Sequence, residues 1–158
     1  MKNFFPQVVL SCCITLVAAV YPAASFAASI VPFTANITFT EQLSQGTSTC
    51  FLTGDISGTG TATKLGAVSL ASEDCINPIS TTTFVFTSDK VVLGTNGGQI
   101  WAAYAGTLSA TDNSIHGTYL VFGGTGRFKD ARGIGILEGS EDLNTGSGQI
   151  QLKGTLTY

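Results

Sequence analysis

Few side chains in this sequence can do chemistry. Its 158 residues include one histidine, seven lysines and arginines, and ten carboxylates. A Ser-His-Asp triad would have to use His116. The alternation over Ser114 to Phe122 sets Ile115, Gly117, Tyr119 and Val121 on one face. His116, Thr118, Leu120 and Phe122 share the other, so His116 reads as an ordinary histidine on the outer side of a strand. Most carboxylates, including Glu73, Asp74, Asp89, Asp112, Asp130, Glu141 and Asp142, fall where turns are expected and solvation is the default. Asp55 and Glu138 differ, because each lies in or beside a strand. A carboxylate turned into an apolar interior has a raised pKa and can act as a general acid or base. Asp55, Glu138 and Tyr104 are therefore the catalytic candidates, weighed against a solvent-facing or packing role. Trp101, Tyr104 and Tyr119 are the aromatic candidates for ligand contacts. Trp101 and Tyr104 lie on opposite faces of one strand, so only one of them can face an interior.

The N-terminus carries a different signal. Lys2 is the only charge before Glu41, and Val8 to Val20 is an unbroken apolar run apart from Ser11 and Thr15. Tyr21 and Pro22 end that run, and Ala23-Ala24-Ser25-Phe26-Ala27 follows. A basic start, a short apolar stretch and a small-x-small site together form a signal peptide pattern, with cleavage after Ala27. The run is too short for a stable membrane-spanning helix. The expected product is one domain over residues 28–158, exported to the periplasm or the medium. Losing Lys2 makes it one unit more acidic than the −3 of the whole chain. That balance gives no footprint for nucleic acid or anionic lipid. Cys12 and Cys13 leave with the signal, and Cys50 and Cys75 remain as the expected disulfide of an exported protein. With one histidine and no CxxC spacing, neither a metal site nor a cofactor is expected.

The elements that would position these groups read as strands throughout. Hydrophobic residues make up 44% and charged residues only 11%, well below the usual quarter or so. No helical period of useful length occurs. Phe33 to Thr40 alternates cleanly, with Phe33, Ala35, Ile37 and Phe39 on one face. Further strands are expected at 50–63, 65–71, 81–87, 90–93, 99–110, 114–122, 133–139 and 148–158, with 73–80 read as a turn broken by Asn77-Pro78. Asn36-Ile37-Thr38 matches a glycosylation sequon, which in a bacterial-type exported chain reads as chance. Short connections between successive strands favour an antiparallel up-and-down barrel of eight strands, which also removes exposed edges.

The densest unusual stretch is Gly123-Gly124-Thr125-Gly126-Arg127-Phe128-Lys129-Asp130-Ala131-Arg132-Gly133. It lacks the third glycine of a dinucleotide fingerprint and any P-loop Lys-Ser or Lys-Thr pair. Its glycines suit a tight turn between strands, and Phe128 can plug one end of a barrel. The stretch resembles the Gly-Gly-Thr-Gly-x-Phe-x-x-Ala-x-Gly motif of the allene oxide cyclase and dirigent proteins. The resemblance implies an eight-stranded antiparallel barrel of the calycin, lipocalin-like kind. Gly123, Gly124, Thr125, Gly126, Arg127, Phe128, Ala131 and Gly133 are its structural positions. It transfers fold and not catalysis, because the plant proteins' catalytic side chains lie outside the motif.

The leading functional expectation is non-catalytic binding of a small hydrophobic or aromatic ligand in the barrel. The alternatives are an isomerase or cyclase of the allene oxide cyclase type, and a dirigent-like or structural interaction module that forms homo-oligomers through its wall.

Overall fold

The computed structural model describes residues 30–158, so the expected signal segment at 1–27 lies outside the described residues. Eight antiparallel strands close into a barrel in sequence order. They are β1 (Val31–Gln45), β2 (Leu52–Ala62), β3 (Gly66–Pro78), β4 (Thr83–Thr95), β5 (Gly98–Ser109), β6 (Ser114–Gly124), β7 (Arg132–Asp142) and β8 (Ser147–Thr157). Pairing of β1 with β8, with Ile37 opposite Ile150, shuts the sheet and leaves no free edge. The inward face of β1 is Phe33, Ala35, Ile37 and Phe39, all buried, as the alternation requires.

One end of the barrel is sealed. Between β6 and β7 a single 3-10 turn, Gly126–Phe128, folds back under the strands and buries Phe128 completely. The Phe128 ring packs on Tyr158 at 5.0 Å, and the Arg127 guanidinium lies 4.7 Å from its centroid. Gly126 has φ +59, and a Cβ there would stand 2.4 Å from the Gly97 carbonyl, so only glycine fits. The loop is tied to β5 by Thr125 N–H donating to the Gln99 carbonyl (2.8 Å) and Gln99 N–H donating to Thr125 Oγ1 (3.0 Å). Gly124 and Gly126 thus bring the plug close to its neighbours.

Several strands run further than their apolar alternation. The segment expected as a turn at 73–80 is strand as far as Pro78. β1 continues beyond Thr40 to Gln45, and β7 continues to Asp142. The segments expected separately at 81–87 and 90–93 are one strand with an irregularity between Ser88 and Val91. The cause is shared by β1, β3 and β7. Polar residues take inward positions near one end of the barrel, where alternation predicts apolar ones. In β7 the pattern is further disguised, because Ile134 and Ile136 point outward and are 63% and 44% exposed.

Candidate functional site

The end opposite Phe128 is the mouth, where β1, β3, β5 and β7 finish and β2, β4, β6 and β8 begin. Cys50 and Cys75 are joined there, tying the connection after β1 to β3. Just inside lies a cavity of about 40 Å³, walled by Phe39, Ile76, Phe84, Phe86, Leu108, Leu137 and other apolar residues. Three carboxyl groups, Glu41, Asp74 and Glu141, face into it, together with Tyr104.

Asp74 is held by a buried hydroxyl network. It is 4% exposed and accepts from Tyr104 OH (2.5 Å) and from Ser72 Oγ (2.9 Å). Ser72 Oγ also lies 2.8 Å from Tyr104 OH and 2.9 Å from Ser88 Oγ. Ser88 Oγ donates to the Glu73 carbonyl (2.8 Å) and accepts from Lys90 N–H (3.3 Å). The hydroxyl protons of Ser72, Ser88 and Tyr104 are fewer than the contacts they serve, so a proton on Asp74 has a place in the network.

The local fold makes this possible. The β3–β4 ladder slips between Ala71 and Cys75, and the β4–β5 ladder slips between Ser88 and Val91. Asp89 and Lys90 both point out at the bulge, while Ser88 and Val91 on either side point in. A bulge re-aims side chains in this way and recurs beside functional sites. Tyr104 lies opposite Ser88 across the ladder, and its ring meets Phe86 edge-on at 5.7 Å.

Glu41 and Glu141 form a second unit. Their carboxyl groups share a hydrogen bond. Glu41 fits because Gly54 faces it: a Cβ at Gly54 would stand 1.9 Å from Glu41 Oε1. The strands carrying the pair are anchored by Glu41 N–H donating to the Gly146 carbonyl (2.7 Å) and Glu141 N–H donating to the Asn113 carbonyl (3.0 Å).

The electrostatics follow from burial without a basic group lining the cavity among the described residues. Glu41 is pushed up to about 9 by desolvation first, then by its bond to Glu141 and the charges of Glu141 and Asp74. Burial also raises Glu141, while the bond from Glu41 opposes the shift, as expected when Glu41 holds the shared proton. Asp74 rises to about 6, mainly through burial, with Tyr104 and Ser72 pulling it down and the Glu141 charge pushing it up. Burial and the neighbouring Asp74 hold Tyr104 protonated. The mouth therefore offers one carboxyl that changes state near pH 6 and one that keeps its proton at neutral pH. That separation is how one site presents a base and an acid together.

The candidates from sequence separate clearly. Tyr104 and Tyr119 are buried and face inward, opposite one another across the β5–β6 ladder. Trp101 is on the outer wall, 38% exposed. Asp55 is exposed on the outer face of β2, between the inward positions Gly54 and Ile56. Glu138 is also outside, paired with Lys153 at 3.3 Å. The strand period explains both, since the inward neighbours of Glu138 are Leu137 and Gly139. Glu41, Asp74, Glu141, Ser72 and Ser88 are not among the candidates that the sequence pattern offers. The signal that could have found Asp74 was the spacing Val68, Leu70, Ser72, Asp74, Ile76, which keeps period two straight through the supposed turn.

Behind the mouth the lumen is nearly filled. A second space of about 30 Å³ is lined by Phe33, Ile100, Tyr119, Leu156 and other apolar groups. Tyr119 OH has no hydrogen-bond partner there among the described residues. It lies over Gly135 and Gly154, where Cβ atoms would come within 2.6 and 2.7 Å of it.

No protein-family model matches the sequence, and neither does any curated protein. Two solved structures are similar in fold. One is described as a nonspecific heme-binding cyclase that catalyses [4 + 2] cycloaddition during neoabyssomicin biosynthesis. The other is the Diels Alderase AbmU from Streptomyces koyangensis. Each is 13% identical with a TM-score of 0.44, covering 85% of this chain and 70% and 71% of the respective neighbour. A likeness of that size says nothing of what this chain binds or does. What the structure itself establishes is an all-β, closed eight-stranded antiparallel barrel with a carboxyl-lined mouth.

Proposed function

We propose that this chain is an exported barrel of the allene oxide cyclase and dirigent-like kind that acts on an apolar small molecule by proton transfer at its mouth. The reaction class is isomerisation or cyclisation. Asp74 is the base, held in place by Tyr104 and Ser72, and Glu41 is the acid. One observation carries this reading: carboxyl groups pushed toward about 6 and about 9 converge in a single apolar pocket. Such pairs mark acid and base assignments. The lumen behind is too full for a ligand-sized guest, so the molecule sits over the carboxyls at the rim, beside half-buried Phe84. Export is supported by the signal-like segment 1–27 and by the Cys50–Cys75 disulfide, which suits an oxidising compartment.

A second reading is non-catalytic binding of a small hydrophobic or aromatic ligand in the same mouth. The observation in its favour is that Asp74 Oδ1, Tyr104, Ser72 and Ser88 are already bonded to one another, as in a purely structural network.

The two readings separate in heavy water. A panel of apolar cyclic and β,γ-unsaturated ketones is incubated in D2O, and deuterium entry beside the carbonyl is followed by NMR. The catalytic reading expects accelerated exchange that rises through about pH 6 and is lost in Asp74→Asn. Exchange no faster than in Asp74→Asn for every ketone would leave only binding.

A further inference from the structure

We propose that the barrel pairs with a second copy of itself through the outer wall of β5, β6 and β7, about a two-fold axis that runs across the strands. The mouth takes no part, so this inference stands apart from the proton-transfer reading. The outer wall has two unlike halves. Across β8, β1, β2 and β3 one row reads Gln149, Thr38, Thr59 and Ser69, polar groups that water satisfies. Across β5, β6 and β7 the rows are largely apolar. Ala103, Leu120 and Ile134 form one row, and Ala105, Thr118 and Ile136 form the next toward the mouth. Trp101 and Phe122 stand beyond the first row, toward the plugged end. Leu120 and Ile134 are 54% and 63% exposed, and Trp101, Phe122 and Ile136 are 38%, 43% and 44% exposed.

Those five large side chains together expose roughly 450 Å², close to the apolar share of one side of a standard-size protein interface. Scattered apolar residues on a wall need no explanation, but a continuous patch of this size marks a docking place. The charges at its two ends choose the occupant. The outward positions of β7 read Arg132, Ile134, Ile136 and Glu138: a cation, two isoleucines and an anion. The cation lies toward the plug and the anion toward the mouth. A copy turned end over end reverses that order. Arg132 of each copy then meets Glu138 of the other, and isoleucine meets isoleucine between them, as a self-complementary two-fold contact requires. Arg132 is set for this. Its Nη1 donates to the Phe122 carbonyl (2.6 Å) and the Ala131 carbonyl (2.7 Å), which fixes the guanidinium at the edge of the patch. Its remaining N–H groups are free among the described residues. Glu138 meets Lys153 at 3.3 Å in an exposed pair that a second cation can join. A lipid surface fits less well, because it favours cations and not an anion beside the buried face. An unrelated protein would need the reversed charge order, which a second copy already carries.

Sedimentation velocity tests the pairing. The protein is expected to pass from monomer to dimer between about 1 and 500 µM, the range of a modest interface. Ile134→Glu, at an exposed position that the fold of one copy does not need, is expected to weaken the dimer by about thirtyfold or more. Arg132→Glu and Glu138→Arg are each expected to weaken it by about fivefold, and the two together to restore it, because both charges are then exchanged. Thr59→Glu, on the polar half of the wall, is expected to change nothing. A monomer at every concentration overturns the inference. So does a dimer that Ile134→Glu leaves intact, since it would use another face. A trimer, or a double exchange that fails to restore pairing, overturns the two-fold arrangement. A protein that stays monomeric and floats with phosphatidylcholine vesicles, but not after Ile134→Glu, would give the patch to lipid instead.

Discussion

At one end of the barrel the strands close over an apolar plug; at the other the same strands close over acids. The plugged end is built from Phe128, Ala131 and Leu156, each essentially buried, with Arg127 kept outside against the rings of Phe128 and Tyr158. Every charge there stays in water. The mouth holds Asp74 and Glu141 almost out of solvent, with no opposite charge lining the cavity among the described residues. Burying polar groups is costly unless they are paired or change protonation, and the raised carboxyl pKa values are that cost in visible form. The contrast teaches where stability and chemistry reside. The plugged end and the apolar lumen hold the barrel closed, which allows the mouth to keep an arrangement that works against folding.

The largest expected effect breaks the plugged end. Phe128→Ala removes a fully buried ring and is expected to destabilise the protein by about 3–5 kcal/mol. Phe84→Ala, at the half-buried rim of the mouth, is expected to lose less than half as much. Urea unfolding of both variants against the parent checks the comparison. Equal losses would mean that the two ends contribute alike.

A smaller effect comes from the acids themselves. Asp74 shifts from an ordinary 3.8 to about 6, so the folded chain holds this proton more tightly than the unfolded chain does. The corresponding stability is fully present below about pH 4 and is lost as pH rises through 6. The whole shift is worth about 3 kcal/mol. Glu41 extends the same downward trend toward pH 9. Thermal unfolding from pH 4 to 9 should therefore show Tm falling with pH across this window. Asp74→Asn should flatten the part between 4 and 6, because an amide still accepts from Tyr104 and does not titrate. A Tm that rises over that interval in the parent, or a slope unchanged in Asp74→Asn, would remove the claim that the mouth is strained by its charges.

The same contrast decides what could be read from the sequence. The plugged end was legible, since Gly123 to Gly133 sets a glycine turn around a single phenylalanine and Phe33 to Phe39 alternates without interruption. The mouth was not. Its inward positions are Ser72, Asp74, Ser88, Glu41 and Glu141, and a polar residue at an inward position looks like the end of a strand. Asn77-Pro78 predicts a turn over Glu73 to Ser80, although Pro78 is the last residue of β3. The Ser88–Val91 bulge hid the continuity of β4 in the same way. Asp55 and Glu138 drew attention because they lie amid strand-like sequence, and the period that made them conspicuous also turns them outward. Local pattern reports where the apolar face continues. It cannot report which distant strand brings a second acid to the same cavity.

The smallest effect lies between the two ends. Tyr104 and Tyr119 leave the wall side by side, one on β5 and one on β6. Tyr104 OH reaches Asp74 and Ser72, whereas Tyr119 OH ends over Gly135 and Gly154 with no partner. Burial alone pushes Tyr119 up to about 12. A buried hydroxyl without a partner costs roughly 1–3 kcal/mol, and removing it returns part of that. Tyr119→Phe is therefore expected to be neutral or to stabilise by up to about 1 kcal/mol. Tyr104→Phe takes the donor from Asp74 and should destabilise by about as much or more. Matched urea curves for the two variants read the difference directly. A clear loss in Tyr119→Phe would show that its hydroxyl has a partner in solution, and the polar region would then extend from the mouth into the lumen.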